Sequence, residues 1–106
     1  MRRSVFALVL GMALAGAGCA EPQKNQVQVL DNSFSPRTVT VPVGTAVNWS
    51  WNGQAPHNVV FAAGSGLPSS NVLNAGDSFA VTFPTPGTFN YECSLHSGMV
   101  GTVIVR

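Results

Sequence analysis

Seven short runs of β-branched and aromatic residues, separated by glycine, proline, asparagine and serine punctuation, recur along this chain from Val27 onward. They are Val27–Leu30, Thr38–Val43, Ala46–Trp51, Asn58–Phe61, Phe79–Phe83, Thr88–Cys93 and Gly101–Val105. Several alternate with a period of two, which puts one set of side chains on one face of a strand. Val47, Trp49 and Trp51 share a face, as do Phe79, Val81 and Phe83, and Phe89, Tyr91 and Cys93. Strands this short, with one apolar face and frequent turn residues, bury that face against a second sheet. The expected fold is all-β, a two-sheet β-sandwich.

No window carries the apolar period of an amphipathic helix. The stretch from Ala62 to Asn74 is small and polar, with Gly64, Gly66 and Pro68. It is expected to be a loop crossing between the sheets, with room for a short helical turn. A chain of 106 residues is one domain.

The first residues have a different character. Met1-Arg2-Arg3 is basic, Val5 to Leu14 is apolar, and Ala13 to Ala20 is rich in small residues. That is the pattern of a secretory signal over residues 1–19. The apolar run is shorter than the ~20 residues of a spanning helix. Cys19 stands where the signal ends, after a lipobox-like Leu14-Ala15-Gly16-Ala17-Gly18, and is the candidate lipidated residue. Ala13-Leu14-Ala15 offers a rival cleavage site, and a Cys19–Cys93 disulfide is a third use of the thiol. Residues 20–26 form a short polar tether, and 27–106 the folded domain. Export, with periplasmic or lipid-anchored residence, is expected. Removing the signal leaves Lys24, Arg37 and Arg106 against Glu21, Asp31, Asp77 and Glu92. With no basic stripe, nucleic acid is not an expected partner.

The chemistry is concentrated near the C-terminus, where Cys93, His96 and Met99 follow one another at intervals of three. The chain has two histidines and two cysteines, and His57 is the other histidine. The Phe89-Tyr91-Cys93 register points the Cys93 sulfur inward at a strand end, while His96 and Met99 come from the loop that follows. Two imidazoles, one thiolate and a weak thioether are the donor set of a blue-copper electron-transfer site. That set is tolerable to both Cu(II) and Cu(I), and a loop pinned between two strands keeps it fixed as the electron moves. Around it, Asn58 and Ser94 are candidates to brace the ligands, and Pro56 to stiffen the His57 loop. Pro56, Leu67, Leu95, Met99 and Val100 are candidates for an apolar collar. Trp49 and Trp51 are expected to pack in the core, and Asp77 and Glu92 to be solvated.

The chain resembles the small blue-copper cupredoxins of the plastocyanin and amicyanin type. The resemblance is carried by Phe34-Ser35-Pro36, Val41-Pro42-Val43-Gly44-Thr45, Pro56-His57-Asn58-Val59-Val60-Phe61, the run from Pro86 to Cys93, and Met99-Val100-Gly101. It implies a Greek-key sandwich of about seven to eight strands. It also implies one type 1 copper held by His57, Cys93, His96 and Met99, and a monomeric carrier that docks on redox partners through a small apolar patch around His96. The two residues between His96 and Met99 match the amicyanin interval. Ser97-Gly98 replaces the bulkier, proline-rich residues usual there, so a more mobile loop and an imidazole easier to protonate in the Cu(I) state are expected.

An enzyme of the copper oxidase or nitrite reductase kind needs further histidines and an open position, and this chain has none to spare. A copper-storage or delivery protein stays open as the alternative, although such proteins favour Met- and His-rich exposed motifs. Structural zinc wants four N/S donors, and methionine is a poor one.

Overall fold

The computed structural model describes residues 24–106. The signal and the lipidation reading at Cys19 fall outside the described residues. Among the described residues there are eight strands: β1 (Gln26–Val29), β2 (Phe34–Ser35), β3 (Thr38–Val41), β4 (Ala46–Trp51), β5 (Val60–Phe61), β6 (Ser78–Thr82), β7 (Gly87–Glu92) and β8 (Val100–Val105). Among the described residues there is no helix. The Ala62–Asn74 stretch is therefore a loop without the expected helical turn. It does cross between sheets, from β5 to β6.

One sheet has the order β2-β1-β4-β6 and the other β3-β8-β7-β5. Both are mixed. β1 lies parallel to β4, with Val27 beside Trp49 and Val29 beside Trp51. β3 lies parallel to β8, with Val39 beside Val103 and Val41 beside Val105. The other pairings are antiparallel.

Alternation produces the core. On β4 the buried residues are Val47, Trp49 and Trp51. They meet Val39, Val41, Phe61, Tyr91, Val103 and Val105 in one continuous apolar cluster. Each such side chain contributes roughly 1.5–3 kcal/mol when fully buried. Trp49 makes edge contacts with Phe61 and Tyr91, at centroid distances of 6.0 and 5.4 Å. Tyr91 lies over Gly101 on the neighbouring strand, where a Cβ would collide with its ring. Only glycine fits there.

Six of the seven runs move by one or two residues at an end, only Ala46–Trp51 keeping its bounds, and three differences are specific to this fold. β2 was too short to show as a run. The Asn58–Phe61 run is a strand only at Val60–Phe61, because Val59 bonds instead to Ser70: its N–H donates to the Ser70 hydroxyl at 2.8 Å, and its carbonyl accepts the Ser70 N–H at 2.9 Å. Asn25, placed in the polar tether, is already tied to the sheet. Its carbonyl accepts the Asn48 N–H and its side-chain amide donates to Ala46.

Candidate metal centre

The site lies at one end of the sandwich, where β4 runs out at Trp51, β7 runs out at Glu92 and β8 begins at Val100. Cys93 is the first residue past β7. It keeps the inward register of Tyr91 and is buried. Its N–H donates to the Met99 carbonyl at 2.9 Å, which closes the loop at its base. Within the loop the His96 N–H donates to the Cys93 carbonyl at 3.4 Å, and the Met99 N–H to the His96 carbonyl at 3.2 Å. The chain thus makes two successive tight turns. The second passes through Gly98 at φ +82°, a conformation that side chains with a Cβ resist. This is the physical reason for a glycine inside the motif.

His57 arrives from the loop after β4. Its backbone pairs with Leu73, N–H to carbonyl in both directions at 3.1 and 2.9 Å. Its carbonyl also accepts the Trp51 indole N–H at 2.9 Å. Trp51 therefore does more than pack: it anchors the backbone of a site residue. The His57 ring is fully buried.

These elements bring three donor atoms together. His57 Nδ1 lies 3.1 Å from His96 Nδ1, and Cys93 Sγ lies 3.8 Å from the first and 3.4 Å from the second. A triangle with those sides has a centre about 2.0 Å from each corner, the length of a metal–imidazole bond (~2.0–2.1 Å) and a little under a metal–thiolate bond (~2.3 Å). The fit to a single metal ion is close. Met99 is a buried core residue, tied to Cys93 through its carbonyl and to His96 through its N–H.

The surroundings split along the two halves of the site. Asn58, next to His57, and Ser94, next to Cys93, hold each other. The Asn58 amide donates to the Ser94 hydroxyl, and the Ser94 N–H donates to the Asn58 carbonyl oxygen, both at 2.8 Å. Pro56 is exposed. Of the other collar candidates, Leu95 is 48% exposed and Leu67 half-buried. Val100 instead lines a surface groove with Val60, Glu92 and Thr102. Val72, beside the Leu73 that pairs with His57, is exposed and was not foreseen. His96 is half-buried.

One contact had no sequence signal. The Asp31 carboxylate, from the turn between β1 and β2, meets His57 Nε2 at 3.3 Å. The same oxygen accepts the Ala55 N–H at 2.8 Å. The Ala55 N–H, and after it the His57 ring, hold the Asp31 carboxyl below its usual range. Gly53 makes room, since a Cβ there would collide with the Asp31 carboxylate.

Comparison with known proteins agrees with this geometry. The family model for copper-binding proteins of the plastocyanin/azurin family matches residues 22–106. Amicyanin-alpha of Methylorubrum extorquens is 30% identical over 106 residues, covering 97% of this chain and 89% of the relative. The plastocyanin of Prochlorothrix hollandica is 33% identical over 116 residues, covering 97% and 88%. The chloroplastic plastocyanin of Tetradesmus obliquus is 42% identical over 84 residues, and the match spans 69% of this chain and 58% of that protein. Among solved structures, a purple cupredoxin from Nitrosopumilus maritimus superposes with a TM-score of 0.69 at 32% identity, covering 76% of this chain and 98% of that one. An amicyanin variant in its Cu(I) form gives 0.71 at 30% identity, covering 76% and 80%.

An all-β sandwich with a cysteine sulfur and two imidazoles converging at one end defines the class of small blue-copper cupredoxins. The chain belongs to the plastocyanin/azurin family of copper-binding proteins. The soft and borderline donors at the site suit one type 1 copper, a centre that both Cu(II) and Cu(I) occupy.

Proposed function

We propose that this chain carries single electrons between redox partners on one type 1 copper, held by His57, Cys93, His96 and Met99. The observation that carries the reading is the convergence of His57 Nδ1, His96 Nδ1 and Cys93 Sγ around one point. Copper, when bound there, supplies the Cu(II)/Cu(I) couple. The residues of the chain do the rest.

Cys93 supplies a thiolate, which the bound metal keeps deprotonated. His57 and His96 supply neutral imidazole nitrogens. Met99, held in the core by two backbone bonds of its own loop, supplies a weak thioether. The three anchors described above, namely Cys93 to Met99, Asn58 to Ser94 and Trp51 to His57, keep the donors in place as charge changes. Little has to move, so electron transfer is not slowed by rearrangement.

His96 is the half-buried member of the set, whereas His57 is sealed. Electrons therefore enter and leave at His96, through a small patch formed by Leu95, Pro56 and their neighbours. Weak redox encounters use small patches of this kind. The partner is a redox protein, the carrier is a monomer, and it performs no catalysis of its own. The N-terminal pattern supports an export signal over residues 1–19, with Cys19 as the candidate lipid attachment point, and residence in the periplasm or at the outer face of a bacterial membrane.

Cyclic voltammetry of the copper-loaded protein tests the reading. A reversible one-electron couple with fast self-exchange supports a carrier. Copper that dissociates on reduction contradicts it, and favours storage or delivery.

A further inference from the structure

We infer that Asp31 is a positioning residue for the copper site: its carboxylate fixes the His57 ring as the Nε2–H tautomer, and its negative charge favours the oxidised site over the reduced one. The inference rests on the reading of His57 as a ligand.

A neutral imidazole carries its proton on one nitrogen or the other, and what faces each nitrogen decides which. On one side of His57, Nδ1 faces Cys93 Sγ and His96 Nδ1. On the other, Nε2 faces the Asp31 carboxylate, an oxygen that can only accept. With the proton on Nε2, it is donated to Asp31 and the Nδ1 lone pair points at the metal position. With the proton on Nδ1, Asp31 faces a lone pair and the donor is lost. The carboxylate selects the binding tautomer before any metal arrives.

The contact is built and not incidental. His57 is fully buried, so its ring has no solvent alternative. The Ala55 N–H holds the carboxylate oxygen in place. Gly53 lacks the side chain that would push the carboxylate away. Asp31 and His57 make the one contact between a histidine and a carboxylate among the described residues. Carboxylates behind metal-bound histidines orient the ring and raise its basicity, and their loss typically costs ~10–100-fold in metal affinity. A fixed negative charge one imidazole away from the metal also favours the more positive oxidation state. Asp31 is 44% exposed, so solvent screens part of this effect.

A bland alternative is that Asp31 only braces the Ala55 loop. The two roles differ in what they move. In the metal-free protein, ¹⁵N NMR of the His57 ring at neutral pH reports the tautomer. We expect Nε2–H in the natural sequence and a several-fold rise of Nδ1–H in Asp31→Ala. In the loaded protein, Asp31→Ala weakens Cu(II) binding by ~10–100-fold. Asp31→Asn keeps an acceptor oxygen, so it recovers most of that affinity while the potential rises by a few-fold to tenfold change in equilibrium constant, up to about 59 mV. Gly53→Ala displaces the carboxylate and reproduces Asp31→Ala. An unchanged tautomer and affinity in folded Asp31→Ala overturns the positioning role, and an unchanged potential in Asp31→Asn overturns the electrostatic one. Where Asp31→Ala does not fold, Asp31→Asn decides through its potential alone. Absence of a thiolate-to-copper band in the natural protein counts against the copper reading instead, and the tautomer result still stands.

Discussion

Asn58 and Ser94 clasp one another through two reciprocal hydrogen bonds, and in doing so join the His57 half of the site to the Cys93 half. The two residues are 36 positions apart. Each follows a metal donor directly in sequence, so the clasp sets the spacing between the donors themselves. Asn58→Ala removes both bonds and leaves the Ser94 N–H without its partner. We expect a loss of ~1–3 kcal/mol. The thiolate absorption should also shift, because Cys93 loses its fixed relation to His57. Ser94→Ala removes only the hydroxyl and should cost less, ~0.5–1.5 kcal/mol. Equal losses for the two variants, from denaturant unfolding, would show that the backbone bond contributes nothing.

Trp49 and Trp51 share a face of β4 and are equally buried, but only Trp51 reaches a partner. The Trp49 indole N–H has none. Trp51→Phe keeps an aromatic ring in the core and frees the His57 carbonyl from one of its two donors. Copper affinity should fall several-fold in Trp51→Phe. Trp49→Phe, which breaks no hydrogen bond, should lower stability through lost packing and leave affinity within twofold. Competitive copper titration of the two variants separates these outcomes.

Tyr91 is the single tyrosine of the chain, so its titration can be followed without ambiguity. Burial pushes its hydroxyl up to about 12 from an ordinary 10.0. Below pH ~10 both folded and unfolded forms are protonated and this group leaves stability unchanged. Between the two values only the unfolded chain gives up the proton, so stability falls by ~1.4 kcal/mol per pH unit. Above the folded value the loss levels off. Tyrosinate absorbance of the metal-free protein should therefore rise near pH 12 and not near 10. Tyr91→Phe should flatten the stability profile across that window.

Gly98 takes a left-handed conformation with open space around it. Gly98→Ala therefore meets backbone strain and no collision. A cost of ~1 kcal/mol is expected. Because the strain falls between His96 and Met99, the reduction potential should move more than the melting temperature suggests. Spectroelectrochemistry beside thermal unfolding makes the comparison.

Much of this was legible in the sequence because it is local. The Phe89-Tyr91-Cys93 alternation fixes the inward sulfur, and the Cys93, His96 and Met99 interval places three candidate donors in one loop. The neighbours of the donors, Asn58 and Ser94, could be nominated by adjacency alone. What was not legible is what the fold brings from afar. Asp31 stands 26 residues before His57, in a turn that looks like any solvated surface turn. Gly53 reads as ordinary loop punctuation until the Asp31 carboxylate is seen behind it. The indole of Trp51 shows a packing pattern and hides a hydrogen bond. The parallel pairings of β1 with β4 and of β3 with β8 were also hidden, since alternation names a buried face and not a neighbour.

The central claim is that Cys93 binds copper as a thiolate within a set completed by His57, His96 and Met99. Its most direct test is the visible spectrum of the folded domain after one equivalent of Cu(II), read beside Cys93→Ala and Met99→Leu. An intense blue thiolate band that bleaches with ascorbate, is lost in Cys93→Ala, and survives in Met99→Leu with a shifted potential is the expected result. A pale or colourless product from the natural sequence, or a band that persists without Cys93, would contradict it.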